Sequence, residues 1–181
     1  MSEKYLIAGL GNYEQKYLGH RHNVGFMVID ELSKETRTDL RFKEKYKGEF
    51  GETTLFGKQI ILLKPHTFMN LSGKSVLPIL KFLNVTPDHL IVVHDELDIH
   101  LGKIKTKIGG GDAGHNGLKS ISADIGTKDY HRVRIGIGRP LLKENVVQHV
   151  LSNFKPDEKK ILQSEVMPEV FRVIEEIMDK K

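Results

Sequence analysis

Several residues have types and positions suited to acid–base chemistry: His20 and His22 near the start, the dipeptide His94-Asp95 in the middle, and the asparagines Asn12, Asn70 and Asn116. A neutral imidazole is the ordinary side chain best suited to take a proton from water near pH 7. A carboxylate on its other ring nitrogen fixes the tautomer and stabilises the imidazolium. Neutral amides can hold a substrate or a developing oxyanion without titrating. The set therefore suits activation of a water. The same histidines and Asp95 also permit a metal-dependent phosphohydrolase built on His22, His94 and Asp95. That reading lacks HExxH spacing and the further ligands such a centre needs. Taken singly, each histidine has a structural alternative, and each asparagine can serve as a cap or turn residue.

Other chemistries are excluded by what is missing or misplaced. The chain has no cysteine, which removes thiol nucleophiles, thiolate zinc sites, iron–sulfur clusters and disulfides. Gly9-Leu10-Gly11 follows an apolar run, but a dinucleotide fingerprint would need a glycine where Glu14 stands. The stretch from Gly109 to Gly114 has phosphate-loop spacing, yet His115 and Asn116 occupy the Lys and Ser/Thr positions. No GxSxG elbow is present, so direct attack by water is expected rather than a covalent intermediate. No cofactor and no metal are expected.

The hydrophobic pattern must place these residues. Tyr5–Ala8 reads as a buried strand closed by a glycine turn, and apolar positions from Val24 to Leu32 recur at helical spacing through about Glu35. Segments 46–55 and 58–63 read as a hairpin turning near Phe56-Gly57, and 71–83 as a helix. Leu90-Ile91-Val92-Val93 is a continuous run of the kind found in a strand covered on both faces. In the next two strands, Lys103, Lys105 and Lys107 alternate with Ile104, Thr106 and Ile108, and Arg132 and Arg134 alternate with Val133 and Ile135. A period of two puts the cations on one polar face. Between them, Gly109–Gly117 opens a helix through about Ile125. The last third reads as a short helix at 146–151 and a longer one at 156–178, which Pro168 must kink or divide. Asn12, Asn70 and Asp95 then each follow the end of a buried strand, the place where ligands bind in open α/β sheets. The expected fold is α/β, a single domain spanning 1–181 with a twisted mixed β-sheet flanked by helices.

Composition bounds the rest. The chain has 181 residues, 39% of them hydrophobic, with a net charge of +4 and a pI near 9.1. That length suits one domain with a core needing no staples, and the basic balance points weakly to a polyanionic partner. No apolar run approaches the roughly 18 residues of a membrane span, and Met1-Ser2-Glu3-Lys4 leads into the first strand without a cleavage-site pattern. The expected location is the cytoplasm, with no membrane partner. No apolar helix face demands a second copy, so a monomer is expected.

These residues fall in segments that resemble the bacterial peptidyl-tRNA hydrolase family over nearly the whole chain. The segments are Gly9-Leu10-Gly11-Asn12 through Tyr17 to Arg21-His22-Asn23-Val24-Gly25, Lys64 through Met69-Asn70 to Gly73, His94-Asp95-Glu96-Leu97-Asp98, Gly109 through Asn116 to Lys119, and Arg132 to Pro140. The resemblance implies an esterase that cuts peptide from the terminal ribose of peptidyl-tRNA, with His22 and Asp95 catalytic. It further implies Asn12, Tyr17, Met69, Asn70 and Asn116 as substrate-binding residues, with tRNA contacts at Lys105, Lys107 and Arg134. Lys103, Lys119 and Arg132 are expected to meet phosphates too. A lid at 146–151 over the acceptor end follows from the resemblance alone. The chain departs from the family pattern in two places. Asn12-Tyr13-Glu14 stands for Asn-Pro-Gly, and Asp112 replaces a histidine. A non-catalytic RNA-binding module on the same fold is the alternative from another class.

Overall fold

A computed structural model describes residues 3–179; Met1 and Ser2, where the absence of a cleavage site was read, lie outside them. The strands are β1 (Lys4–Gly9), β2 (Arg41–Lys43), β3 (Gly48–Leu55), β4 (Lys58–Pro65), β5 (Leu90–Glu96), β6 (Ile104–Ile108) and β7 (His131–Gly136). They form one sheet of order β2-β3-β4-β1-β5-β7-β6. Neighbours β1/β4, β1/β5 and β5/β7 are parallel, whereas β2/β3, β3/β4 and β6/β7 are antiparallel. The carboxyl ends of β1, β4, β5 and β7 therefore share one edge.

Helices cover both faces. On one, α1 (Val24–Glu35) and α6 (Met167–Asp179) press Val28, Ile29, Val170 and Ile174 onto Ile7, Ile91, Val93 and Val133. On the other, α2 (Gly73–Phe82) and α3 (Asn116–Ile125) bring Val76, Ile79, Leu118 and Ile121 against Leu6, Ala8, Ile61 and Val92. Every residue of β5 is buried, as its unbroken apolar run predicts. Two short helices, α4 (Val146–Val150) and α5 (Pro156–Ile161), complete the set.

Two expectations change in detail. The chain stays helical from Pro156, but a π-helical turn at Leu162–Val166 separates α5 from α6. The irregularity thus falls in the turn just before Pro168, where the wider π spacing accommodates a residue that has no N–H and whose ring crowds the preceding turn. The alternation of β6 does not separate apolar from polar faces, since Ile108 is 67% exposed. β6 is the outermost strand, and lysines on such a strand also discourage pairing with another sheet.

Candidate active site

His22 lies in a tight 3-10 turn, Arg21–Asn23, immediately before α1. Three sets of bonds fix that turn. The Arg21 guanidinium donates to Glu158 at 2.8 Å and to Ser152 Oγ at 2.5 Å, and the Arg21 N–H donates to the Ser152 carbonyl. Asn23, fully buried, accepts from the Asn12 N–H at 2.7 Å and donates to the Asn12 carbonyl at 2.8 Å. Gly25 lets the helix start touch the sheet, because a Cβ there would lie 2.5 Å from the Val93 carbonyl oxygen. A larger residue would push α1, and His22 with it, away from β5.

On β5, Asp95 accepts from two imidazoles. His22 Nδ1 lies 2.9 Å from Oδ2, and His115 Nε2 lies 2.8 Å from Oδ1. His115 Nδ1 in turn accepts from the Gly117 N–H at 3.1 Å, so His115 carries its proton on Nε2 and donates it to Asp95. Asp95 therefore receives His22 Nδ1–H as well, which leaves His22 Nε2 as the basic nitrogen. The carboxylate is buried. Burial would raise its pKa, but the two histidines outweigh that and hold it below the usual carboxylate range. Burial would lower the His22 pKa, but the charge and hydrogen bond of Asp95 outweigh it and raise the group above its ordinary value. His94, buried behind Asp95, donates Nδ1–H to the Asp95 carbonyl at 2.8 Å. Burial and the adjacent His115 push its pKa down to about 3, so it stays neutral.

His22, Asp95 and His115 line a cleft of about 590 Å³, open mouth included, together with Asn116, Gly114 and the apolar residues Val146, Val147 and Val150 of α4. Asn116, the first residue of α3, is exposed at its rim. Asp112, a departure from the family pattern, caps the Gly114 N–H at 3.2 Å and receives the His115 N–H on its carbonyl, shaping the approach to His115. The sequence alone does not mark His115 as a site residue. Its only signal is its place beside Asn116 at a helix start, and nothing local announces a partner on β5.

The other expected residues are placed unevenly. Asn12 follows β1 and the exposed Asn70 lies in the 3-10 turn Met69–Leu71 beyond β4, on the same sheet edge as Asp95. Tyr17 is half-buried and packs edge-on against His20, 5.1 Å between rings. Met69 is buried and belongs to the core. Its sulfur would lie 2.8 Å from a Cβ on Gly117, so it packs against the start of α3. The metal reading changes as well. His22, Asp95 and His115 present ligand atoms within 4.8 Å of one another, but those atoms already bond to each other. His94, counted in the phosphohydrolase alternative, stands outside the group.

Among the expected tRNA contacts, Lys105 is exposed opposite Arg134, and Lys103 and Lys119 are exposed in the turn before β6 and on α3. Arg134 is half-buried and makes no ion pair among the described residues. Lys107 is half-buried and donates to the Gly111 carbonyl at 3.0 Å. Arg132 requires a correction. It is fully buried, donates to the carbonyls of Gly111 at 2.6 Å and Lys128 at 3.3 Å, and lies 4.7 Å from the Tyr130 ring centroid. β7 is an inner strand, and the glycine-rich loop and the segment from Lys128 to Tyr130 close over the guanidinium, so this cation ties down the loop and does not reach phosphate.

Comparison with known proteins follows the same lines. The family model described as peptidyl-tRNA hydrolase matches residues 6–181. A peptidyl-tRNA hydrolase of Geotalea uraniireducens is 53% identical over 153 residues, 84% of this chain and 79% of the relative. One of Sorangium cellulosum is 50% identical over 159 residues, 87% of this chain and 71% of the relative. The crystal structure of peptidyl-tRNA hydrolase from Acinetobacter baumannii superposes with a TM-score of 0.86 at 37% identity, covering 100% of this chain and 97% of that one.

Proposed function

The chain belongs to the peptidyl-tRNA hydrolase family, and from that premise we propose that His22, oriented by Asp95, activates the water in its reaction. The enzyme hydrolyses the ester joining peptide to tRNA, with peptidyl-tRNA as its substrate. The observation that carries the mechanism is the double acceptance by Asp95, which commits His22 Nδ1–H and leaves Nε2 as the base. Water adds to the ester carbonyl as its proton passes to Nε2. Collapse of the adduct breaks the bond to the ribose oxygen, which takes that proton back. No covalent enzyme intermediate forms. Asp95 stays ionised and stabilises the imidazolium. His115 is a positioning residue, since it holds the second carboxylate oxygen and so fixes the first.

Asn116, on the rim of the cleft, positions water and the oxyanion, and Asn12 and Asn70 hold the peptide portion. Losing one such oxyanion donor typically costs about 10²–10³ in rate. The valines of α4 form an apolar wall beside His22. A charged α-ammonium would be poorly solvated there, which favours peptidyl-tRNA over aminoacyl-tRNA. Lys103, Lys105, Lys107, Lys119 and Arg134 contact the tRNA at the β6 side of the sheet. No described helix is long and apolar enough to cross a membrane. We place the enzyme in the cytoplasm as a monomeric single domain. The test is hydrolysis of N-acetylated aminoacyl-tRNA, with free aminoacyl-tRNA as control, in the presence of excess chelator. Release of the acylated residue alone, undiminished by chelator, supports the reading; loss of activity with chelator would restore the metal-dependent alternative.

A further inference from the structure

We propose that Tyr13, His66 and Phe42 form an aromatic platform that binds side chains of the peptide several residues from the ester. Tyr13 stacks on the His66 ring at 5.4 Å with 13° between planes, and Phe42 of β2 lies 5.5 Å from the same ring, tilted by 44°. Phe26 of α1 backs the stack 6.4 Å from His66. Tyr13 is 41% exposed, Phe42 49%, and Phe68 nearby in the chain 61%. Exposed aromatic rings held by one another in this way form a surface suited to contact with apolar or aromatic groups.

The platform is continuous with the site. Tyr13 follows Asn12, whose backbone is clamped by Asn23 beside His22. His66 directly follows β4, and the turn bearing Asn70 comes next. In the sheet, β4 lies two strands from β5 and β2 lies four. At about 4.8 Å per strand the platform begins roughly 10 Å from Asp95. An extended peptide covers about 3.3 Å per residue, so residues about three to five from the ester would reach it. The occupant is peptide, because the platform continues from the asparagines assigned to the peptide portion while the cations assigned to tRNA lie at the β6 end of the sheet; Arg41 and Lys43, exposed on either side of Phe42, make tRNA the alternative that the test must separate. The His66 ring is itself anchored by Glu49 at 3.1 Å, a carboxylate that also pairs with Lys64 at 3.4 Å.

This inference rests on the assignment of Asn12 and Asn70 to the peptide, and its test separates the two. kcat/KM is measured for N-acetylated aminoacyl-tRNA and for two pentapeptidyl-tRNAs bearing Phe or Ser at the fourth residue from the ester. Wild type is expected to prefer the Phe peptide by roughly three- to tenfold, and both Tyr13→Ser and Phe42→Ser should bring that ratio towards one. Equal turnover of the two pentapeptides by wild type, or an unchanged ratio in both variants, overturns the platform. So does a loss by both variants of affinity for deacylated tRNA, which would mark the rings as a nucleotide-stacking surface. Failure of wild type on the acetylated substrate would sink the hydrolase reading itself.

Discussion

Asp95 has two acceptor oxygens and uses both on imidazole N–H groups, a demand that no amide meets. In Asp95→Asn one oxygen becomes an NH₂ donor, so His22 or His115 must turn or change tautomer. We predict a fall in kcat of about 10²–10⁴ with the fold retained, measured alongside far-UV circular dichroism. The pH profile follows from His22. Its pKa is raised above the ordinary value and the base must be neutral, so kcat/KM rises with pH and levels off above that pKa. Removing the carboxylate charge leaves burial to act alone, and the acid limb in Asp95→Asn moves to lower pH. A limb that stays in place would mean the titrating group is not His22. Asp95 is legible in the sequence because strand ends collect polar residues, and His22 because its segment resembles that of a known family. The bond between His115 and Asp95 was not legible, since it joins residues on β5 and α3 through a contact that no periodicity records.

Elements decide which cations are free. Alternation along β7 identifies a shared face for Arg132 and Arg134 but says nothing of what covers it. The loop carbonyls of Gly111 and Lys128 and the ring of Tyr130 make Arg132 a buried anchor, while Arg134, two residues nearer the sheet edge that carries the site, remains half-exposed. The two variants should therefore separate. Arg132→Ala loses charged hydrogen bonds to two carbonyls and is expected to destabilise the protein by about 3 kcal/mol, read from urea denaturation. Arg134→Ala should leave stability within about 0.5 kcal/mol and lower the slope of log affinity for tRNA against log salt by roughly 0.7–0.9. Reversal of this pattern would return Arg132 to the tRNA surface. Pro168 illustrates the same limit, for its presence announced an irregularity and the π-helical turn before it supplied the form.

At the scale of the whole molecule, both core halves are built on the same central strands, with α1 and α6 on one side and α2 and α3 on the other. We expect one cooperative unfolding transition, with circular dichroism and tyrosine fluorescence midpoints coinciding; separated midpoints would contradict a single domain. The α/β order, the mixed sheet and its loaded edge were legible from strand and helix periods. The three-residue β2 was not, being too short and too exposed for any period to show. Its position matters to the proposed platform, because it carries Phe42 at the end of the sheet opposite the lysines of β6. The direct test is single-turnover hydrolysis of N-acetylated aminoacyl-tRNA by wild type and His22→Ala at equal tRNA occupancy. The His22 mechanism predicts release by wild type and at most a few per cent of that rate in the variant; a variant retaining a larger share would place the base elsewhere.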